Sequence, residues 1–511
     1  MATYLLAHDL GTSGNKATLY SSDGALIKNV THSYPLHTFN GNCAEQNPLD
    51  WWQAVCNSTK ELVADINPAD IAAISFSGQM MGCVCVDKSG DPVRDALIWA
   101  DMRSTEQEAV IRAQMPVQDF YHITGHRPSP SYSATKLMWV REHEPENYKN
   151  TYKMLNAKDF IILKLTGRFV TEPSDASSTC LMELDTQTWS EDMLSLCGIQ
   201  KDKMPEIISS VAVAGNVTEE AARMCGLLAG TPVVCGGGDG VCAAVGTGAV
   251  VENRANLCLG TSSWISYASK TAVYDEEMQI FNFAHIVPGY IMPCGTMQTG
   301  GGSLSWAYEQ LATFAKNKNT IDKPATYKAI CDAVERSPVG AKGLVYLPYL
   351  MGERSPRWNA EAKGAFVGLT MDHTTGDMFR AVMEGVAMNL SIILETYRKS
   401  GAAIDRLVAI GGGVRNEIWR QILADVLGVH MDVPNYLEEA TSMGAAITAG
   451  VGAGVFRDFN VIEKFLHNEY AYSPDLTKKD RYDELKAIFD ECYQQLVHID
   501  SKLHSFAQKR T

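Results

Sequence analysis

The chain has 511 residues, enough for two large domains. Apolar residues make up 46% of it and charged residues 20%, which is typical of globular proteins and excludes collagen-like, low-complexity and disordered chains. Lys and Arg total 44 against 59 Asp and Glu, so the net charge of −15 gives no overall attraction to nucleic acid or to an anionic membrane. No apolar run reaches the ~18 residues that span a bilayer.

The N-terminus and the cysteines indicate a cytoplasmic protein. The segment Met1–Asp9 lacks a basic leader and reaches a carboxylate early, so it is typical of a first strand and not of a signal peptide. The 13 cysteines include no Cys-x-x-Cys pair. Unpatterned thiols of this kind fit a reducing compartment and do not have the spacing of metal ligands.

The first half of the chain alternates strand and helix patterns, which is typical of an α/β fold. Apolar runs over Tyr4–Ala7 and Lys16–Tyr20 flank a Gly-rich bend and predict a hairpin. The other predicted elements of this half are strands over Ile71–Phe76, Cys83–Val86, Leu97–Trp99 and Thr231–Cys235, and helices over Trp51–Ala64, Ser104–Gln114 and Val241–Thr247.

The second half opens on a strand that runs into Gly260-Thr261-Ser262 and so echoes the first hairpin. Helices are predicted before Gly401 and over Glu417–Leu427, with a strand over Leu407–Ile410 between them. An apolar stripe from Tyr482 to Phe506 predicts a long tail helix. We expect this helix to pack on the second lobe; a coiled-coil homodimer is the alternative.

The two hairpin bends are candidate phosphate sites. Asp9 ends the first strand, and Gly11, Thr12 and Ser13 follow it in the bend. Glycines let the backbone approach a phosphate, and hydroxyls add neutral donors. In so acidic a chain, Mg²⁺ would neutralise the phosphate charge. The Walker pattern of phosphate-binding residues is absent from the sequence. Ordinary Gly-rich hairpins are the alternative interpretation.

Two further glycine clusters follow predicted strands. Asp239 stands in the first, Gly236–Gly240, where a carboxylate could accept a proton from an attacking hydroxyl. The alternative is a turn residue that caps the next helix. The second cluster, Gly411–Asn416, lacks the full dinucleotide fingerprint and is better interpreted as a flat surface for an adenine.

Polar residues at two other strand ends are candidates for binding a polyol. Gln79, Asp101 and Arg103 could hydrogen-bond hydroxyls, and Trp99 could cover an apolar sugar face. For each residue taken singly, an ordinary surface or helix-start role is the alternative.

In order and spacing these motifs resemble the FGGY family of carbohydrate kinases. The resemblance is carried by Ser133–Glu142, by Leu347–Pro356 and by Gly364–Leu369 continuing through Asp377–Gly385. It extends from Asp9 to about Gly454, and within the family it is strongest to the xylulokinases. The resemblance implies an α/β fold of two RNase H-like lobes of the actin and hexokinase type, with a nucleotide cleft between them. It places an N-terminal lobe at 1–250, a C-terminal lobe at 251–455 and a tail at 456–511.

The resemblance also implies a role for each motif. Asp239 would be the catalytic base, and Asp9 and Asp239 would hold Mg²⁺. The residues that would contact ATP are Asp9, Gly11, Thr12, Ser13, Gly260, Thr261, Gly302, Gly412, Gly413 and Asn416. Those that would line the sugar pocket are Gln79, Met80, Met81, Trp99, Asp101, Arg103 and Asp239.

The implied activity is ATP-dependent phosphorylation of a small sugar or polyol at a terminal hydroxyl, without nucleic-acid or membrane partners. A non-catalytic, actin-like sensor of ATP or sugar is the alternative. Two positions depart from the xylulokinase pattern: Met81 replaces a His, and Ala100 replaces an Asn or Ser. Both changes remove polar groups from the expected sugar pocket, so we expect D-xylulose not to be the best acceptor.

Overall fold

The computed structural model describes residues 3–312 and 323–508. Strand and helix alternate through both halves of the chain. The strands up to residue 238 are β1 (Tyr4–Leu10), β2 (Gly14–Ser21), β3 (Leu26–Ser33), β4 (His37–Phe39), β5 (Cys43–Gln46), β6 (Ile71–Gly78), β7 (Val84–Val86), β8 (Ala96–Leu97), β9 (Lys153–Leu155), β10 (Val170–Thr171), β11 (Met182–Glu183), β12 (Thr188–Trp189), β13 (Glu206–Ile207), β14 (Val213–Asn216), β15 (Pro232–Val234) and β16 (Gly237–Gly238). The helices of this half are α1 (Pro48–Val63), α2 (Thr105–Gln114), α3 (Val117–Thr124), α4 (Ser133–His143), α5 (Pro145–Asn150), α6 (Ala157–Thr166), α7 (Pro173–Ser177), α8 (Glu191–Cys197), α9 (Glu219–Cys225) and α10 (Asp239–Gly246).

The second half continues the same alternation. Its strands are β17 (Ala255–Leu259), β18 (Ser263–Tyr267), β19 (Phe281–Ala284), β20 (Ile291–Met297), β21 (Val345–Leu347), β22 (Ala365–Val367), β23 (Arg406–Ile410), β24 (His430–Pro434) and β25 (Asn468–Tyr472). Its helices are α11 (Gly301–Ala307), α12 (Lys323–Arg336), α13 (Thr375–Lys399), α14 (Glu417–Leu427), α15 (Ala440–Gly452), α16 (Ile462–Phe465) and α17 (Lys479–Gln508).

Each half is built on a seven-stranded sheet, and six strands of each sheet have the same spatial order and the same relative directions. In the first, β3, β2 and β1 are antiparallel neighbours, β6 and β15 continue parallel to β1, and β14 closes the edge antiparallel to β15. In the second, β20, β18, β17, β23, β24 and β25 repeat that order and those directions, and β19 adds an outer strand. The echo between the two hairpin bends therefore extends to whole sheets, and the two-lobed α/β fold is confirmed.

The predicted strands and helices that surround the motifs are present, except that the strand predicted over Leu97–Trp99 covers Ala96–Leu97 and leaves Trp99 in a turn. Both predicted hairpins form, with β1 antiparallel to β2 and β17 antiparallel to β18. The central strands β1 and β6 are buried along almost their whole length because helices cover both faces of the sheet. The sequence pattern did not predict β25, whose residues are largely exposed and supply the edge strand of the second sheet.

The long helix of the tail packs against the second half of the chain. Its residues Tyr482, Leu485 and Phe489 are buried in the same apolar core as α13 and α14. Among the described residues, none of the helices combines the length and the apolar content that crossing a membrane requires.

Two helices meet between the sheets. Helix α15 follows β24 of the second sheet but packs on β1 and β6 of the first. Helix α10 follows β16 of the first sheet, stays in contact with β6 and β16, and reaches the second sheet through Ala243, which packs against Cys258 and Ile410. The two helices pack directly against each other and so connect the two halves of the chain.

The crossing depends on two glycines. A Cβ on Gly246 would lie 1.8 Å from the carbonyl oxygen of Ala440, and one on Gly444 would lie 1.9 Å from the carbonyl oxygen of Cys242. The backbones of α10 and α15 are thus in direct contact, and neither position has space for a side chain.

We predict that Gly246→Ala lowers the free energy of unfolding by about 1–3 kcal/mol, because the new methyl group must push α15 away. The thermal midpoint of unfolding measures the effect. Gly240→Ala is the matched control on the same helix, since its Cβ would meet only Met292, at 3.9 Å. The control should keep the wild-type midpoint or raise it, because Ala favours helix over Gly. Equal midpoints for the two variants would contradict the direct contact between the backbones of α10 and α15.

Candidate active site

Three parallel strands of the first sheet end at the same edge and bring the two candidate carboxylates together. The register places Asp9 of β1 beside Ser77 of β6, and Ser77 beside Gly237 of β16. Asp239 follows β16 directly. The carboxyl edge of a parallel sheet is where ligands bind in open α/β folds.

Asp9 is held at this edge by a neighbouring hydroxyl. Ser77 Oγ donates to Asp9 Oδ1 over 2.8 Å. Burial raises the pKa of Asp9 above its ordinary value, although the bond from Ser77 and the charge of Lys16 oppose that rise.

Asp239 is the first residue of α10, and the capping position is occupied by Gly238. The side chain of Asp239 accepts the amide of Gly240 over 2.7 Å, and Gly238 holds the capping position, so the alternative role of Asp239 as the capping residue of this helix is not what the structure has. Burial first, and then the charge of Asp9, raise the pKa of Asp239 to about 7. Two carboxyl groups are therefore held close together at a desolvated edge.

The charge of Asp239 also acts on the second sheet. Burial, together with the charge of Asp239, raises the pKa of the Cys258 thiol on β17 to about 12.

The first hairpin bend is braced from outside. The Tyr34 hydroxyl donates to the carbonyl of Gly11, and Gln46 Nε2 donates to the carbonyl of Thr12 over 2.8 Å. Trp99 Nε1 donates to Thr12 Oγ1 over 2.9 Å, which connects the candidate phosphate bend to the candidate sugar wall. Ser13 is exposed at the tip of the bend.

The second bend, at Gly260 and Thr261, is hydrogen-bonded to the glycine segment that begins α11. The amide of Gly301 donates to the carbonyl of Gly260 over 2.7 Å, and the amide of Gly302 donates to that of Thr261 over 3.1 Å. A Cβ on Gly413 would lie 2.5 Å from Leu259, which shows how closely the Gly411–Asn416 cluster approaches β17. The predicted residues Gly260, Thr261, Gly302, Gly412 and Gly413 thus lie around one end of the second sheet.

Gly412 and Asn416 differ in their surroundings. No atom of the described residues lies within 4 Å of a Cβ placed on Gly412, so the described residues leave the backbone there open to a flat ligand. Asn416 is only 2% exposed. Its side chain caps α14 by accepting the amide of Trp419 over 3.0 Å, so this residue has a structural task in addition to the predicted one.

The Gln79–Met81 segment follows β6 at the edge that carries Asp9. Gln79 Nε2 donates to Gln46 Oε1 over 2.9 Å, whereas its own buried Oε1 has no partner among the described residues. Met80 packs on Gly238, since a Cβ there would lie 2.5 Å from Met80 Sδ. The residue after Gln79 therefore touches the one before Asp239.

Met81 has a left-handed backbone with φ of 63° and is fixed at both ends. Its amide donates to Ser178 Oγ over 3.2 Å, and its carbonyl accepts Lys136 Nζ over 3.0 Å. Burial lowers the pKa of Lys136 to about 7, although the charge of Asp101 opposes this.

Asp101 and Arg103 bind each other. Arg103 donates to both carboxylate oxygens of Asp101 and forms a second ion pair with Glu45 at 2.8 Å. The amide of Ala44 donates to Asp101 Oδ2 over 2.7 Å. The Arg103 guanidinium also lies 4.9 Å from the centre of the Trp139 ring. Arg103 therefore holds Asp101 in place, a role that the sequence alone did not suggest.

Several residues that shape this site were not singled out in the sequence. Ser77 and Gln46 each belong to a strand and only become significant through the sheet register. Lys136 lies inside the Ser133–Glu142 segment, so a more detailed reading of that segment could have found it. Ser178 carries no sequence signal that would distinguish it.

Comparison with known proteins shows to which protein family this chain belongs. Residues 4–246 match the N-terminal domain, and residues 255–453 the C-terminal domain, of the FGGY family of carbohydrate kinases. A xylulose kinase of Bacillus subtilis is 32% identical over 507 residues, which is 98% of this chain and 99% of the relative. A gluconokinase of Bacillus licheniformis is 31% identical over 493 residues, 96% of this chain and 95% of the relative.

A solved structure agrees with these relatives. The ligand-bound xylulose kinase of Lactobacillus acidophilus superimposes with a TM-score of 0.91 at 26% identity, covering 98% of this chain and all of that one. Catalytic relatives of this kind do not favour the alternative of a non-catalytic sensor. With both family domains matched, the protein belongs to the FGGY family of carbohydrate kinases, enzymes that phosphorylate a sugar with ATP as the donor.

Proposed function

We propose that the acceptor is a small ketose or alditol, a ketopentose such as xylulose or a close relative of it, phosphorylated at a terminal hydroxyl. The observation that carries this proposal is the pair of carboxylates, Asp9 and Asp239, beside the Gln79–Met81 segment at one sheet edge. Relatives named xylulose kinase support the substrate class.

Asp239 is the proposed general base. The acceptor hydroxyl gives its proton to the Asp239 carboxylate while its oxygen forms a bond to the γ-phosphorus of ATP and the bond from that phosphorus to the bridging oxygen breaks. The products are the sugar phosphate and ADP. Burial raises the pKa of Asp239 to about 7, which makes it a stronger base than an exposed Asp and leaves a substantial fraction ionised at neutral pH.

The residues at this edge fit a magnesium ion. Among the described residues no cluster of three or more His, Cys, Asp and Glu side chains offers a complete protein cage. Mg²⁺ in kinases is commonly bound by one or two carboxylates, with phosphate and water oxygens as the remaining ligands. Asp9 and Asp239 would hold it. When bound, the ion neutralises charge on the transferred phosphoryl group.

Neutral donors would bind the rest of the nucleotide. Thr12 and Ser13 would contact the phosphates from the first half, and Gly260, Thr261 and Gly302 from the second. The open backbone at Gly412 and its neighbour Gly413 supports an adenine site. Binding a polyanion through amides and hydroxyls suits a chain whose net charge is −15.

The acceptor would lie between Met81, Trp99 and Asp239, with Gln79 Oε1 as an unpartnered hydrogen-bond acceptor for a hydroxyl. We further propose that the enzyme works in the cytoplasm, which the cysteine content supports.

Asp239→Asn tests the proposed base. The amide keeps the size of the side chain but cannot take a proton, so we expect kcat to fall by about 10²–10⁴-fold. Nucleotide affinity, measured by calorimetry, should change little. Asp192→Asn is the control, because Asp192 also lies in the first turn of a helix, α8, where its side chain is exposed. Near-normal kcat in Asp239→Asn would refute the assignment.

Met81→His tests the acceptor. The wild type should turn over another ketose, a pentitol or a tetritol better than D-xylulose, whose hydroxyls lack a partner at Met81. The substitution should shift the ratio of kcat/KM toward D-xylulose by about 1–3 kcal/mol if one hydrogen bond is restored. A sugar panel assayed with both proteins measures this. Met102→His, at an exposed methionine, is the control. If wild-type enzyme prefers D-xylulose to every other sugar, the expectation is wrong.

A further inference from the structure

A short serine-rich helix lies behind both halves of the proposed active site. Helix α7 with its C-terminal cap residue presents Ser174, Ser177 and Ser178, all of them fully buried. Each of these hydroxyls accepts a hydrogen bond from a backbone amide on another element. The three targets belong to three different parts of the molecule.

Ser174 bonds to the residue that precedes the proposed base. The amide of Gly238 donates to Ser174 Oγ over 3.0 Å. Gly238 is also the capping residue of α10, whose first residue is Asp239. The position of the Asp239 carboxylate therefore depends on a bond that Ser174 makes.

Ser178 bonds to the proposed acceptor segment. The amide of Met81 donates to Ser178 Oγ over 3.2 Å. Because Met81 has a left-handed backbone, this bond helps to hold a conformation that an L-residue adopts at a cost. One helix thus fixes both the segment that carries the base and the segment that lines the acceptor pocket.

Ser177 bonds elsewhere. Its hydroxyl accepts the amide of Ala284 on β19, over 3.2 Å, and donates to the carbonyl of Ser174 over 2.7 Å. It contacts neither Gly238 nor Met81 through a hydrogen bond, so it is a natural internal control.

A buried charge anchors this helix. Glu172, which caps α7, accepts the amides of Ser174 and Asp175 and the hydroxyls of Ser174 and Ser210, all within 2.9 Å. Lys158 Nζ lies 3.5 Å from Glu172, 2.6 Å from Asp159 and 3.0 Å from Asp175. A hydroxyl that donates to a carboxylate becomes a better acceptor in turn. The anchor therefore strengthens the bond between Ser174 and Gly238.

Lys158 also packs against β6, the strand that leads into the Gln79–Met81 segment. A Cβ on Gly78 would lie 3.0 Å from the Cβ of Lys158, so the first turn of α6 packs against the backbone next to Gln79. The charged cluster is thus in contact with β6 and, through α7, with the segments that carry Asp239 and Met81.

We propose that α7 is a positioning element in which Ser174 sets the place of the catalytic base and Ser178 sets that of the acceptor pocket. Neither serine is a catalytic residue, because neither is placed in contact with a substrate. The inference rests on the proposed function, in which Asp239 is the base and Met81 lines the acceptor site.

Single alanine variants separate the two roles. Loss of the Ser174 hydroxyl leaves a buried amide without its partner beside the base, so Ser174→Ala should lower kcat about tenfold with the acceptor KM nearly unchanged. Ser178→Ala should raise the acceptor KM about threefold to tenfold and largely keep kcat. Ser177→Ala should change neither constant by more than about twofold, although it loses a bond of the same kind.

The assay measures kcat and acceptor KM at saturating Mg·ATP, with the sugar of the panel that has the highest kcat/KM in the wild type, alongside thermal midpoints of all three variants. A lower kcat in Ser174→Ala, together with a higher acceptor KM in Ser178→Ala, supports the proposal. A parallel loss in all three variants that follows their thermal midpoints, or wild-type constants in Ser174→Ala, overturns it.

The failure of the proposed function would look different. If wild-type protein releases no ADP with any sugar, or if Asp239→Asn is fully active, the function assigned to this edge is wrong. If the wild type is active and Asp239→Asn is not, the serine variants test only the positioning inference.

Discussion

The close crossing of α10 and α15 is the constraint on which the rest of this structure depends. Gly246 and Gly444 let two helix backbones touch, so α15 from the second half of the chain packs beside α10 against the first sheet. The first residue of α10 is Asp239. The same helix therefore joins the two halves at one end and presents the proposed base at the other.

Desolvation gives this edge its chemistry. Asp9 and Asp239 are held together at a buried edge, and burial raises the pKa of each. In the proposed function this pair would hold a divalent cation, and the raised pKa would give Asp239 the basicity that proton transfer from a sugar hydroxyl requires. Most of the polar groups around it are neutral: the hydroxyls of Ser77, Ser174 and Ser178, and the amides of the bends.

Charged side chains near the site mainly bind each other. Arg103 is paired with Asp101 and Glu45, and Lys158 with three carboxyl groups behind α7. These buried networks position backbone segments that lie closer to the proposed ligands. Removing one partner from such a network leaves a buried charge uncompensated, which is costly.

The sequence by itself determined the local features: strands that end in Gly-rich bends, Asp9 and Asp239 after strands, and the long helices. It could do so because hydrophobic period and turn chemistry act over a few residues. Only the tertiary structure decided that six strands of the two sheets correspond in order and direction, that α15 packs on the first sheet, and that Arg103 binds Asp101. It likewise decided the hydrogen-bond partners of Ser174 and Ser178. Ser174 and Gly238 are 64 positions apart, and Ser178 and Met81 are 97 positions apart, so both bonds depend on how the sheets and helices pack.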